Sequence, residues 1–231
     1  MRDESGPWKY FLTAFLLFTL LGCDLLSLLA GRLVDGRRLL DPGIWSNHWY
    51  ATVFTFLCSS TMWCIGVILA FRWLRGQPNS TERLRFRCDS RTGILFILTI
   101  VLIFIDVILT GALRDGTFPE IAREYAGFGR RYGSYAAIVS IFQYVYYFFE
   151  SLAVVLMVVC FQRAGELWFR KAAVPWGSAG LVLTWGVIHF LSHPSGALGV
   201  TIWASLPGAI YLLGRKNLIP VFSILFLEFV L

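Results

Sequence analysis

Seven stretches of mostly apolar residues, separated by short polar connections, constrain the fold of this chain more than any other feature. A helix that crosses about 30 Å of hydrocarbon needs about 20 such residues. The stretches run over residues 10–30, 50–71, 93–113, 135–160, 176–192, 196–213 and 217–231. Only 15% of all residues are charged, too few to form the polar surface of a soluble domain. The sequence therefore predicts an all-α polytopic membrane protein with about seven transmembrane helices.

The distribution of basic residues predicts the orientation of these spans. If the N-terminus is cytoplasmic, 13 of the 20 Lys and Arg residues fall on the cytoplasmic side and 7 on the other. The positive-inside rule therefore predicts an integral cell-membrane protein with a cytoplasmic N-terminus and an outside C-terminus. The basic loop "FRWLRGQPNSTERLRFRCDSR" is explained by topology and by contact with anionic lipid headgroups, so no nucleic-acid partner is expected.

Ionisable side chains inside the spans are the first candidates for function, because they are costly to bury in lipid. They are Asp24, Asp106, Glu150, His189 and Glu228, with His193 at a helix end. Counted along each helix at 1.5 Å per residue, the first five lie about 17–22 Å from the cytoplasmic edge. We therefore expect them to share one layer and to face one polar cavity.

Two of these carboxyls have a purely structural alternative, and no metal site is expected. Asp24 and Asp106 lack a surrounding motif, so a protonated carboxyl hydrogen-bonded to a neighbouring helix is the favoured explanation for each. His189 and His193 have the i,i+4 spacing that chelates zinc, but the glutamate of the HExxH pattern is absent. The five cysteines have no metal or paired spacing, and no cofactor is predicted.

Two segments keep alternative interpretations. "PEIAREYAGFGRRYGSY" is either a short amphipathic helix along the outer surface or a solvated loop. Around Glu150, the side chains of Tyr144, Tyr146 and Tyr147 either satisfy its carboxyl or pack against lipid.

Residues 145 to 231 resemble the CAAX protease and bacteriocin-processing family (CPBP, or Abi) of intramembrane glutamic endopeptidases. "FFES" with Glu150 stands at the first family motif, and "WGVIH", which ends at His189, stands at the second. "GALGVTIWASLPGAIYLLGRKNLIPVFSILFLE" is similar to the last two family helices. The resemblance implies a three-span region over residues 1–134 and a CPBP-like four-helix core over residues 135–231. It also implies that Glu150 and His189 activate a water as the catalytic pair.

The sequence departs from the family pattern at the residues that matter for catalysis. Ser151 replaces the second glutamate of the first motif, Ile224 replaces the histidine of the last motif, and Glu228 replaces its asparagine. A lost oxyanion donor lowers the rate by about 10²–10³-fold, and a carboxylate there repels the developing charge.

We therefore predict a catalytically lapsed or weak peptidase acting in peptide processing or immunity, with an active endopeptidase and a small transporter or ligand-binding protein as alternatives. Its expected partners are the lipid bilayer and either a membrane-delivered peptide or a partner helix.

Overall fold

The computed structural model describes residues 6–36, 46–113, 120–188 and 197–230, and all regular structure in these ranges is helical. The predicted all-α class is confirmed. In the described part of the chain, three helical segments are long and apolar enough to cross a membrane: Pro7–Val34, Trp49–Arg75 and Ile121–Phe169. Thr92–Ile105, Thr201–Leu213 and Leu218–Val230 are apolar but shorter. The count of seven spans stays a prediction.

The helix bounds follow the predicted apolar stretches closely. They are α1 (Pro7–Gly22), α2 (Asp24–Val34), α3 (Trp49–Arg75), α4 (Ser80–Arg83), α5 (Ser90–Leu113), α6 (Glu120–Tyr132), α7 (Ala136–Phe169), α8 (Trp176–Leu181), α9 (Ala197–Leu213) and α10 (Leu218–Val230). A 3₁₀ turn, Gly133–Tyr135, joins α6 to α7, and a π-helical turn, Val182–Gly186, extends α8.

The first predicted span is divided in two at Cys23, which separates α1 from α2. On α1 the buried residues recur every three or four positions and form one face, which packs against α7 and α3. They are Tyr10, Ala14, Leu17 and Leu21. The break matters for function because it makes Asp24 the first residue of α2.

Helix α7 is the centre of the bundle, with α1, α3, α8 and α10 packed around it. It has 34 residues, so at helical rise it is about 51 Å long and exceeds the hydrocarbon thickness. From Ala153 to Glu166 every residue except Arg163 is buried. Glycines allow the neighbouring helices to approach closely, as small residues do in membrane proteins. A Cβ on Gly177, for example, would lie 2.8 Å from the carbonyl oxygen of Val158.

The basic loop between α3 and α5 is held at one end of the bundle, which we call the basic-loop end. The side-chain amide of Asn217 donates to the carbonyl of Arg87 at 2.6 Å and to the Thr92 hydroxyl at 2.7 Å. The Tyr211 phenol donates to the carbonyl of Arg83 at 2.8 Å. These bonds satisfy the loop backbone and attach it to α9 and α10.

At the opposite end, the α6 end, α6 folds back along α7. Gly133 allows this reversal by adopting a φ of +59°, which favours glycine. Two residues of α7 then donate to the same oxygen, Glu124 Oε1: Gln143 Nε2 at 2.8 Å and the Tyr147 phenol at 2.7 Å. The helical interpretation of this segment is confirmed over Glu120–Tyr132 and the loop alternative is wrong, while its place at the outer surface stays a prediction.

The carboxylate of Asp35, just beyond α2, connects α2 to α3 at the α6 end. Asp35 accepts backbone N–H bonds from Asn47 at 2.7 Å and His48 at 2.9 Å, and its Oδ1 lies 2.7 Å from His48 Nδ1. Burial opposes the charge of Asp35, but these hydrogen bonds outweigh it and hold the pKa of the carboxyl below its usual value. Asp35 therefore links the end of α2 to the start of α3.

Candidate functional site

Glu150 lies in the middle of α7 and is buried, with 8% of its surface exposed. The indole of Trp185 lies beside its carboxyl. Trp185 belongs to the π-helical turn Val182–Gly186, and such turns occur often at functional sites because the extra residue redirects the side chains around it. The sequence identified Glu150 as a candidate and contained Trp185 only as the first residue of "WGVIH"; the fold shows that the two side chains meet.

Asp24 lies close enough to Glu150 for the two carboxyls to interact electrostatically. The Tyr146 phenol, one helical turn before Glu150, donates to Asp24 Oδ2 at 2.8 Å. The hydroxyl of the buried Ser59 on α3 also interacts with Asp24. Side chains from α2, α3, α7 and the π turn therefore meet at one level; we call this set of Asp24, Ser59, Tyr146, Glu150 and Trp185 the carboxyl layer.

The tyrosines before Glu150 bond to carboxyls on other helices. Tyr146 donates to Asp24, and Tyr147 donates to Glu124. Tyr146 also packs against Trp63, with ring centroids 4.5 Å apart. The sequence suggested that these phenols bond to Glu150 or pack against lipid. Tyr146 and Tyr147 do neither, because each donates a hydrogen bond to a different carboxyl.

Glu228, on α10, borders a small cavity of about 10 Å³ together with Trp185. This volume holds about one water molecule. The other described residues of the cavity wall have apolar side chains, among them Ile224, which is 1% exposed. Trp185 therefore borders both the Glu150 carboxyl and the cavity of Glu228.

The remaining predicted residues have no described side-chain position. His189 and His193 lie outside the described residues, and so does the side chain of Asp106, although its backbone belongs to α5. In the described part of the chain, no group of three or more His, Cys, Asp or Glu side chains is placed to hold a metal ion.

A second site was not predicted from the sequence. A cavity of about 520 Å³ opens at the α6 end beside α6 and α7. The described residues around it are Arg123, Glu124, Gly127, Phe128, Arg130, Arg131 and Gln143. The spacing of the arginines could have indicated this site. Arg130 and Arg131 follow Arg123 by seven and eight residues, which places the three on one face of a helix. The cavity itself exists only because α6 folds back onto α7.

Comparison with known proteins assigns no family to this architecture. No protein-family model, no curated protein and no solved structure matches the chain.

Proposed function

We propose that this is an integral membrane protein similar to the CPBP family that no longer hydrolyses peptide bonds, and that it acts in peptide processing or immunity by binding a membrane-delivered peptide or a partner helix. In this proposal all seven predicted spans cross the membrane. The last four, which correspond to α7, α8 with its π turn, α9 and α10, form the CPBP-like core.

The main support for a loss of peptidase activity is the environment of two residues on α10. In the family pattern, Ile224 and Glu228 occupy the positions of the residues that stabilise an oxyanion. Ile224 is an apolar wall of the cavity, and Glu228 contributes a carboxylate to it. A volume of about 10 Å³ accommodates one water but no peptide, and the Ile224 side chain supplies no donor to a developing negative charge.

The alternative of an active endopeptidase is supported by the position of Glu150. Trp185 lies beside Glu150, and His189 follows Trp185 by four residues, which is one helical turn if the helix continues. A carboxylate with a neighbouring imidazole is suited to deprotonate water. In this alternative, Glu150 is the general base and His189 its partner, and a rearrangement of α10 must open space for the peptide.

The alternative of a small transporter or ligand-binding protein is supported by the carboxyl layer. Asp24, Tyr146 and Glu150 place two carboxyls and a phenol at one depth in the bundle. Chains of such groups serve as proton relays in membrane proteins. Glu228 and the unplaced Asp106, His189 and His193 belong to the same predicted set.

Peptide hydrolysis by the purified full-length protein tests the proposal. Reconstituted in lipid, the protein is incubated with a mixture of quenched fluorogenic peptides and membrane-spanning peptides, and products are read by mass spectrometry. We expect no hydrolysis, and none after Glu228→Asn alone, because Ile224 still lacks a donor. The double change Ile224→His with Glu228→Asn restores both family donor types, so it is the one variant in which cleavage is compatible with the proposal.

Two outcomes separate the alternatives. Cleavage by the unaltered protein that disappears in Glu150→Gln refutes the lapsed peptidase and establishes the endopeptidase. Proton uptake into vesicles that disappears in both Glu150→Gln and Asp24→Asn, with no cleavage, establishes the transporter instead.

A further inference from the structure

The arginine-lined cavity at the α6 end differs from the carboxyl layer in charge and in size. Among the described residues, three arginines and one glutamate surround its volume of about 520 Å³. The carboxylate of Glu124 accepts hydrogen bonds from Gln143 and Tyr147 on α7, which direct it towards the bundle. The cavity therefore carries an excess of positive charge that suits an anionic ligand.

The starts of two predicted spans locate this cavity relative to the bilayer. Trp49 and Tyr135, whose rings stack at 4.6 Å, lie where the predicted spans 50–71 and 135–160 begin. They mark the hydrocarbon boundary of the α6 end, as expected for aromatic residues of the interface.

The last turn of α6 lies at the level of the lipid headgroups. Phe128 and Tyr132 pack with Ala136 and Val139, at the start of α7. The neighbouring Arg130 and Arg131 are exposed at this level. Gly127 lies beside Arg130: a Cβ there would lie 4.0 Å from Arg130 Nη2, an ordinary contact distance.

We propose that this cavity binds the phosphate group of an anionic lipid headgroup through Arg130 and Arg131. A guanidinium donates two parallel hydrogen bonds to phosphate oxygens, which an ammonium cannot do. A lipid phosphate is present at this depth, whereas free phosphate must enter from water. Phe128, buried at the inner side of the cavity, offers an apolar surface to the glycerol and upper acyl part of the same lipid.

Titration of phosphatidylglycerol into the full-length protein in detergent, read by native mass spectrometry, tests this site. The double variant Arg130→Gln with Arg131→Gln should bind about 30-fold more weakly, since each arginine near a headgroup contributes about a factor of five. Arg72→Gln with Arg75→Gln is the matched control, because it removes two exposed arginines of one helix at the basic-loop end. This control should lose much less affinity than the glutamine variant of α6, because contact of the basic loop with anionic headgroups involves general attraction and no arginine-lined cavity.

A conservative variant separates charge from geometry. Arg130→Lys with Arg131→Lys keeps both charges but loses the paired hydrogen bonds, and we expect its affinity to lie between those of the wild type and the glutamine variant. Thermal unfolding, followed by tryptophan fluorescence, establishes whether each variant is folded. If the glutamine variant does not fold, the affinity of the lysine variant decides the test.

Three results would overturn the proposal. An equal loss of phosphatidylglycerol affinity in the glutamine variants of the α6 end and the basic-loop end would indicate general electrostatic attraction rather than a binding site. Unchanged binding in all variants of Arg130 and Arg131 would exclude these residues as ligands. Binding of inorganic phosphate, without retention of phosphatidylglycerol, would show that the ligand is not a lipid.

Discussion

The close approach of α8 and α9 at Gly208 is directly testable by adding a single methyl group. A Cβ at this position would lie 2.6 Å from the Ser178 hydroxyl oxygen and closer still to the Ser178 backbone nitrogen. The backbone nitrogen belongs to a helix and has no rotamer with which to move away. Gly208→Ala therefore forces α8 and α9 apart and weakens the hydrogen bond from the Ser178 hydroxyl to the Ser205 carbonyl.

The expected magnitude follows from three contributions. Overpacking a well-packed site lowers the free energy of unfolding by about 1–3 kcal/mol. The interhelical hydrogen bond contributes about 0.6 kcal/mol in a membrane protein. Alanine stabilises a helix by about 0.5–1 kcal/mol relative to glycine, which offsets part of this loss. We expect Gly208→Ala to lower the free energy of unfolding by about 1–3 kcal/mol.

Unfolding in mixed micelles of dodecyl maltoside with increasing SDS, followed by tryptophan fluorescence, measures this change. Gly129→Ala is the control, because a Cβ on this residue of α6 meets no atom within 4 Å. It should leave stability unchanged or raise it by up to about 1 kcal/mol through helix propensity. If Gly208→Ala is as stable as Gly129→Ala, the packing of α8 against α9 described above is wrong.

Three further predictions concern the carboxyl layer, the α6 end and the topology. Tyr146→Phe removes the donor to Asp24 and should lower the free energy of unfolding by about 0.5–2 kcal/mol in the same assay; an unchanged value would contradict the interhelical bond. The pKa of Asp35 is lower in the folded protein than in the unfolded chain, where it is about 4. The ionised carboxyl therefore stabilises the fold fully above the unfolded pKa, and this stabilisation is lost as the pH falls through the lower, folded value. The stability advantage of the wild type over Asp35→Asn should therefore be constant near neutral pH and disappear in acid, and an advantage that persists there would refute the assignment. A reporter fused at the C-terminus should lie outside the cytoplasm, and a cytoplasmic reporter would show that the number of spans is not seven.

Local sequence was sufficient where a helix depends on its own residues. The apolar stretch 50–71 corresponds to α3, Trp49–Arg75, and the stretch 217–231 corresponds to α10, Leu218–Val230. The stretch 135–160 was extended to Phe169, because the charged turns around Arg163 and Glu166 continue α7 beyond the apolar run. Lys216 Nζ forms an ion pair with Glu166 Oε1 at 2.9 Å, a contact that no local sequence pattern indicates.

The relative depth of two polar residues was likewise accessible, since helical rise needs only a count of residues from a charged end. This count assigned Asp24 and Glu150 to similar levels, and in the structure their carboxyls are close enough to interact electrostatically. Nothing in the count distinguishes adjacent helices from distant ones. It therefore could not show that Ser59 and Trp185 complete the carboxyl layer, or that α6 encloses an arginine-lined cavity by folding back at Gly133.

The sequence by itself determined the helical class and the apolar segments, because each depends on residues within one segment. Only the tertiary structure decided which groups meet. The Tyr146 phenol donates to Asp24, 122 positions away, and not to Glu150 on its own helix. That choice depends on the rotation and spacing of α2 against α7, which are set by the packing of every helix between them.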